Sequence, residues 1–521
     1  MPTMHEYAEA QGGRESIAVP EIDGELTLSL VEDMLAQLDS DNATVFSEVY
    51  DYLHGNQLAP YAPHDASEQI RDMQRRAITN LMPLIVNLPS QVSFVDGYRR
   101  GSMEDGPEES GPETVAMAAA NRFSPEYKQW QKCRMDGRQS IIYRAALTYG
   151  HSFVAVEQLD GVKVSVLPTR QTIAYFDDPV NDLRPSVVVT VKRYQTDKTP
   201  GLILAWDDKH RYEIQIGVDG KRKIKSSVPH GFESGCPVIR YTCYVDDEGR
   251  TSGVIAPSVQ SQDRVNQSAF STDVTSNFGA FKVRTAAGLQ PNFKTDADGE
   301  VLLDGGGNPI PEPIAVSQAR MLISDDPNTR FDQLDETPLE GFLRAEEQSI
   351  RNFAALNQFP PHILLGNISN LSAEALAAAE AQLTRFISFL HVSWGESHEE
   401  LFRLLAEALK DAAGAASYGG EVRWRKITQD SFPAVVDGLG KLVQMVGLPR
   451  RAAWALVPGA TSGQLEDWEQ LKQDELDEEL MGATSSPGNA AAREYRPQPS
   501  HAQLDATSSA STRSVADGSL S

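Results

Sequence analysis

The sequence predicts an α+β protein, mainly helical, with one small antiparallel β-domain. Three observations carry this. Apolar residues recur at helical spacing over long stretches, as at Ile70, Met73, Ala77, Leu81, Leu84 and Leu88. Between Gln158 and Val245 that spacing gives way to β-branched and aromatic runs, broken by the turn pairs Asp160-Gly161 and Asp219-Gly220. Finally, two long helical patterns bracket a Gly- and Asp-rich insert near residues 282–335.

In chain order, residues 1–25 are polar and Gly-containing and read as a mobile arm. A helical pattern from Leu26 to Tyr61 ends in the turn-rich stretch Gly55–Pro63. The next, Ala66–Leu88, is kinked or restarted by Pro83. Val92–Tyr98 reads as a short strand, and residues 101–120 begin as an acidic Gly/Pro loop. A helix from Pro125 to Leu147 is stopped by Gly150, and His151–Gln158 alternates into a strand. After the β-domain, Ile255–Phe281 forms a long helix with a thin apolar stripe: Ile255, Val259, Phe270, Val274, Phe278 and Phe281. Its other faces carry uncharged polar residues, among them Gln262, Asn266 and Gln267, which suits packing between neighbours. The insert contains strand-like pieces separated by Asp296–Glu300 and Asp304–Pro313.

A second amphipathic helix, Pro338–Asn357, places Leu339, Phe342, Leu343, Ile350 and Phe353 on one face. Beyond the loop Leu364–Leu371 a very long helix spans Ser372–Ala413, roughly 60 Å at about 1.5 Å per residue, with Ser372 as N-cap and Gly395 as its kink. Glu421–Ile427 is a short strand, followed by helices Pro433–Val446 and Gln464–Leu480, the last strongly acidic. From Gly482 the tail holds almost no large apolar residue and reads as disordered.

At 521 residues the chain is long enough for two or three domains. Its net charge of −26 argues against a general nucleic-acid coat, which needs a basic surface to displace counterions. It fits a conduit past which DNA slides without being gripped. Three cysteines, Cys133, Cys236 and Cys243, fit a reducing interior and read as buried apolar residues. The first residues lack the charged and apolar regions of a signal peptide, and no stretch approaches a membrane span, so the reading is a soluble protein made in the cytoplasm, without membrane contact.

No catalytic constellation emerges. GxxxxGK[ST] is absent, which removes an ATP-driven motor. His398-Glu399-Glu400 has no second His at the spacing of HExxH, and Gly150-His151-Ser152 is not a nucleophile elbow. The string Asp296-Ala297-Asp298-Gly299-Glu300 lacks the remaining ligands of a calcium loop and reads as a hairpin turn. No metal site, no cofactor and no enzyme activity are expected.

The order of elements resembles the portal proteins of tailed bacteriophages, most closely the SPP1-type portal family. Four segments carry the resemblance: Asn80–Arg99 (NLMPLIVNLPSQVSFVDGYR), Trp130–Glu157, Arg320–Asp335 (RMLISDDPNTRFDQLD) and Phe359–Glu380 (FPPHILLGNISNLSAEALAAAE). It covers roughly residues 27–480. The fold it implies is a portal fold of wing, stem, clip and crown, with the β-domain in the wing. Residues 1–26 become a flexible arm, 27–250 the wing, 251–281 the first stem helix, 282–335 the clip and 336–357 the second stem helix. Residues 358–371 become the tunnel loop, 372–430 the long kinked helix and return strand of the wing, 431–481 the crown, and 482–521 a disordered tail.

The family implies a homo-oligomeric ring, commonly of twelve subunits, at one capsid vertex of the virion. Double-stranded DNA is packaged through it by the terminase and later ejected into the tail. The partners so implied are the terminase large subunit, the head–tail adaptor, and the major capsid and scaffolding proteins. Lys282, Arg284, Asn367, Ser369 and Asn370 become candidates for the DNA channel. Asn292, Lys294, Asp296, Asp298, Glu300 and Arg320 become candidates for partner binding at the clip. For the basic pair Lys282 and Arg284, a surface or intersubunit salt bridge is an equal reading. The alternative is another non-enzymatic head protein, such as an adaptor or scaffold.

Overall fold

The computed structural model describes residues 26–101, 124–280, 284–287, 293–296, 298, 300–310, 330–333, 338–366, 373–427, 432–448, 453–454, 457 and 462–484. The N-terminal arm, the acidic loop after Gly101, the loop 367–372 and the tail from residue 485 lie outside them. The chain divides into two units, Met1–Gln429 and Asp430–Ser521.

The first unit opens with helix α1 (Leu28–Asp41), capped by the Thr27 hydroxyl, which accepts from Leu30 N. A wide π turn, Asn42–Phe46, leads into α2 (Ser47–His54), which stops at Gly55 in the left-handed region. The expected 66–88 helix is two: α3 (Glu68–Arg76) and α4 (Met82–Val92), with Pro83 in the first turn of the second. Strand β1 (Val95–Arg99) follows. The single helix expected over 125–147 is also split, into α5 (Pro125–Lys132) and α6 (Gln139–Tyr149). Arg134 breaks it, with φ at 57°.

Three strands, β2 (His151–Glu157), β3 (Lys163–Leu167) and β9 (Val238–Thr242), form one antiparallel sheet in the order β3-β2-β9. Five more run as a meander: β4 (Thr172–Tyr175), β5 (Val187–Arg193), β6 (Gly201–Trp206), β7 (His210–Ile216) and β8 (Arg222–Pro229). This is the expected β-domain. Its inner face, Val187, Val189, Val191, Ile203 and Ile214, is covered by Leu30, Val31, Met34 and Leu38 of α1. A small hairpin, β10 (Tyr244–Val245) and β11 (Thr251–Ser252), leads out of it.

Helix α7 (Val259–Ala280) is followed by strands β12 (Arg284–Ala287) and β13 (Arg330–Gln333), which pair antiparallel. Helix α8 (Leu339–Leu356), a short α9 (Pro361–Leu365), the long α10 (Ala373–Ala408) and α11 (Ala412–Ala415) complete the helices of this unit. Helix α10 has 36 residues, about 54 Å at 1.5 Å per residue, and runs without a break through Gly395. It ends five residues before the expected Ala413, at a turn where Lys410 takes φ 63° and Asp411 caps α11 through Gly414 N. Strand β14 (Glu421–Trp424) returns to pair with β1.

The main core gathers around α10. Leu390, Trp394, Leu401, Phe402 and Leu405 pack with Trp130, Tyr143, Ala146 and Tyr241. Cys236 and Cys243 are buried as expected, but Cys133 is only half-buried, its Sγ 3.6 Å from Val162 O. The second unit contains α12 (Phe432–Lys441), extended by a π turn Leu442–Val446, and the acidic α13 (Ser462–Thr484). Trp454 and Trp468 meet edge to face, 6.4 Å between ring centres.

Candidate functional site

The helices flanking the insert form an antiparallel pair closed at successive levels. Ser258 Oγ donates to Asn357 Oδ1 at 2.7 Å, and the Ser268 and Ser349 hydroxyls meet at 2.8 Å. Beyond the helices the strands continue the pair, with Arg284 opposite Gln333 and Ala287 opposite Arg330. The insert therefore rises as one hairpin on two legs. Small residues at the leg contacts let the helices approach closely.

The other side of α7 does not have the free polar flank that its composition suggested. Gln262 and Asn266, one helical turn apart, are fully buried. Gln262 Oε1 accepts from Leu81 N at 3.0 Å and its Nε2 donates to Thr79 O at 2.7 Å. Asn266 Oδ1 accepts from Thr79 N at 3.1 Å, and Asn266 Nδ2 donates to Gln57 Oε1 at 2.7 Å. Gln57 in turn donates to Asn80 Oδ1 at 2.7 Å. The two amides thus act as rungs against the extended segment between α3 and α4, satisfying backbone groups that no helix or sheet reaches. Nearby, Tyr52 Oη donates to Asp263 Oδ1 at 2.6 Å, and burial holds both groups above their ordinary pKa. Below the rungs, Ala269 and Phe270 pack on Met73 and Ala77. Of the expected stripe, Ile255, Val259 and Phe270 are buried, whereas Phe278 is exposed.

At the far end of the insert, three short extended pieces close on one another. Lys294 N donates to Ile310 O, Leu302 N to Lys294 O and Ile310 N to Leu302 O, all at 2.8–2.9 Å. Bridges Thr295–Val301 and Leu303–Pro309 flank this triangle. Both connecting turns are built by an aspartate. Asp296 Oδ1 accepts from Asp298 N and Glu300 N, and Asp304 Oδ1 accepts from Gly306 N and Asn308 N. These amide donors hold the Asp304 carboxyl below its ordinary range. The expected hairpin turn at 296–300 is present, and Asp304 repeats it eight residues later. That eight-residue period, linking Asp296 to Asp304 and Lys294 to Leu302 to Ile310, was visible in the sequence but shorter than the repeats sought there. Among the described residues no cluster of His, Cys, Asp and Glu is placed to hold a metal.

Lys294, Asp296, Asp298 and Glu300 are exposed on this tip, beside exposed Phe293, Val301, Leu302 and Leu303. Arg284 begins the ribbon at the junction with the helices. Lys282, Asn292, Arg320, Asn367, Ser369 and Asn370 lie outside the described residues. Gly366, at φ 65°, is the last described residue before the loop that holds three of them.

Helix α10, which follows that loop, is fixed by two histidines. His398 is fully buried between the Tyr143 hydroxyl, 2.7 Å from Nε2, and the Tyr241 hydroxyl, 3.0 Å from Nδ1. Neutral imidazole fits, since one ring nitrogen donates and the other accepts. Two turns earlier, His391 lies flat on Trp424, ring centres 4.0 Å apart, with Nε2 3.0 Å from Ser93 Oγ. Burial lowers the pKa of His398 to about 3 and of His391 to about 4. Sequence reasoning missed both, because their partners lie about 150 to 300 residues away.

A family model described as "Phage portal protein, SPP1 Gp6-like" matches residues 39–478. The portal protein of Mycobacterium phage L5 is 22% identical over 378 residues, covering 66% of this chain and 72% of the relative. The portal protein of Mycobacterium phage D29 is 23% identical over 392 residues, covering 68% and 74%. Among solved structures, a chain from the neck of an empty GTA particle matches with a TM-score of 0.36 at 11% identity, over 75% of this chain and 91% of that one. A chain from the virion of a native gene transfer agent particle matches with a TM-score of 0.36 at 12% identity, over 77% and 95%. No helix among the described residues is long and apolar enough to cross a membrane.

Proposed function

The chain belongs to the phage portal protein family of the SPP1 Gp6-like type, a structural and non-enzymatic part of the phage particle, and we propose that it assembles into a ring through which double-stranded DNA is packaged and later released. The observation that supports this reading is the hairpin that carries the 282–335 insert on α7 and α8. Those helices become the stem, and the insert becomes the clip, offered to the terminase during packaging and to the adaptor afterwards. The aspartate-built tip, with Lys294, Asp296, Asp298 and Glu300 around exposed apolar residues, suits a succession of partners at one place. Residues 27–250 and 372–430 become the wing, the loop 358–371 the tunnel loop, and 431–481 the crown. In the channel, Lys282 and Arg284 would meet phosphates, and the uncharged Asn367, Ser369 and Asn370 would touch DNA weakly enough to let it slide. The assembled ring would sit at the capsid vertex, with the capsid and scaffolding proteins as neighbours.

Native mass spectrometry of the purified chain tests the ring, for which a closed oligomer of about twelve copies is expected; a monomer at micromolar concentration would sink the reading. Replacing Asn367–Asn370 by a bulky stretch should leave the ring intact and reduce packaged DNA per particle. Unchanged packaging would remove the tunnel-loop assignment. Deleting residues 282–335 should spare the wing and abolish terminase docking.

A further inference from the structure

One end of the five-stranded sheet reverses the charge of the molecule. Residues 192–198 and 217–225 hold seven basic side chains and two acidic ones, in a chain whose net charge is −26. The strand register brings them together. Arg193 lies opposite Leu202, Leu202 opposite Gln215, and Gln215 opposite Lys223. A single row therefore crosses four strands, about 14 Å from end to end at 4.8 Å per spacing. The alternate row, Val191, Ile203, Ile214 and Ile224, packs toward α1, so Gln215 and Lys223 face away from it.

Two β-bulges lie beside this row, one inserting Lys192 into β5 and one inserting Lys225 into β8. The loops at the same end add Lys198 and Lys221 and are tied to each other by Gln195 Nε2, which donates to Val218 O at 2.8 Å. Tyr194 stands 57% exposed between them. Arg222 is engaged with Glu32 of α1. Among the described residues, Lys192, Lys198, Lys221 and Lys223 are exposed and take part in no ion pair.

Resting on the reading of the chain as a DNA-handling portal, we propose that this sheet end is a docking surface for the phosphate backbone of duplex DNA. At physiological salt the screening length is about 8 Å, so a phosphate at the tip meets the local positive charge and little of the acidic remainder. The predominance of lysine favours DNA over an acidic neighbour of the same kind. Lysine is a flexible point charge that suits sequence-independent phosphate contact, whereas protein–protein ion pairs favour the fixed fork of arginine. Nothing in the row reads bases; Tyr194 offers an aromatic face beside the phosphate contacts.

The test compares the assembled protein with a variant carrying Lys192→Glu, Lys198→Glu, Lys221→Glu and Lys223→Glu, all exposed and therefore compatible with folding. Fluorescence anisotropy with a short random-sequence duplex should show binding at 50 mM salt, weakened at least about tenfold in the variant. The slope of log affinity against log salt should shrink by about 3, at roughly 0.9 per phosphate contact. No binding by the wild type, or equal binding by both, overturns the proposal. So does tighter binding of a poly-glutamate peptide than of the duplex, which would assign the surface to an acidic protein. Native mass spectrometry of the same samples separates these outcomes from failure of the portal reading: rings that do not bind DNA refute the surface alone.

Discussion

His398 shows how one side chain sets the behaviour of a long element. Both its ring nitrogens are used, by Tyr143 on α6 and Tyr241 on β9, so it joins α10 to a helix and a sheet at once. His398→Phe would keep the volume and strand both hydroxyls in a dry core. A loss of about 2–4 kcal/mol is expected, read as a shift in urea midpoint at pH 7. The pH dependence has a defined sign. Unfolded, His391 and His398 take up protons near their ordinary 6.5; folded, they resist down to about 4 and about 3. The unfolded state therefore binds more protons throughout that window, and stability falls as pH drops from 6.5 toward 3. The effect should be on the order of a few kcal/mol, and the His398→Phe variant should show a flatter profile between pH 7 and 4. A profile as steep as the wild type's would show that His398 is not the group responsible. In the sequence, His398 was simply a histidine that failed a metalloprotease pattern; nothing local announced its two tyrosines.

At the scale of elements, α7 is where sequence and structure part. Its length and antiparallel partner were legible, because helical periodicity and the Gly/Asp break between the helices are local signals. Its polar face was misassigned. A helix carrying uncharged amides looks solvated or intersubunit, yet Gln262 and Asn266 are buried against an extended segment whose backbone groups need partners. Asn266→Ala should cost about 2–3 kcal/mol by leaving Thr79 N and Gln57 unpaired, with faster amide exchange expected at Thr79. An unchanged exchange rate there would argue against the amide rungs. The insert tip behaves differently, since its turns are local. Asp304→Ala should speed exchange at Gly306 and Asn308 while leaving the global melting temperature unchanged, because the turn is exposed and contributes nothing to the main core. A global destabilisation would show that the tip is coupled to the legs.

For the whole molecule, the acidic total and the basic sheet end call for different reasoning. A charge of −26 governs the long-range field, and it fits a conduit that does not hold DNA. A patch a few ångströms across acts within the screening length and is invisible to the total. Seeing it required the register of four strands and two bulges. The same division runs through the protein. By itself the sequence determined the α+β class, most helix positions, the insert between two helices, the aspartate turns and the family, because periodicity, capping and turn chemistry act over a few residues. Only the tertiary structure decided that α1 closes the β-domain, that the α7 amides are interior, that two histidines anchor α10, and that scattered lysines share one sheet end. Those contacts join residues dozens to hundreds apart, and no local pattern specifies which distant group will satisfy a buried polar atom or share a surface.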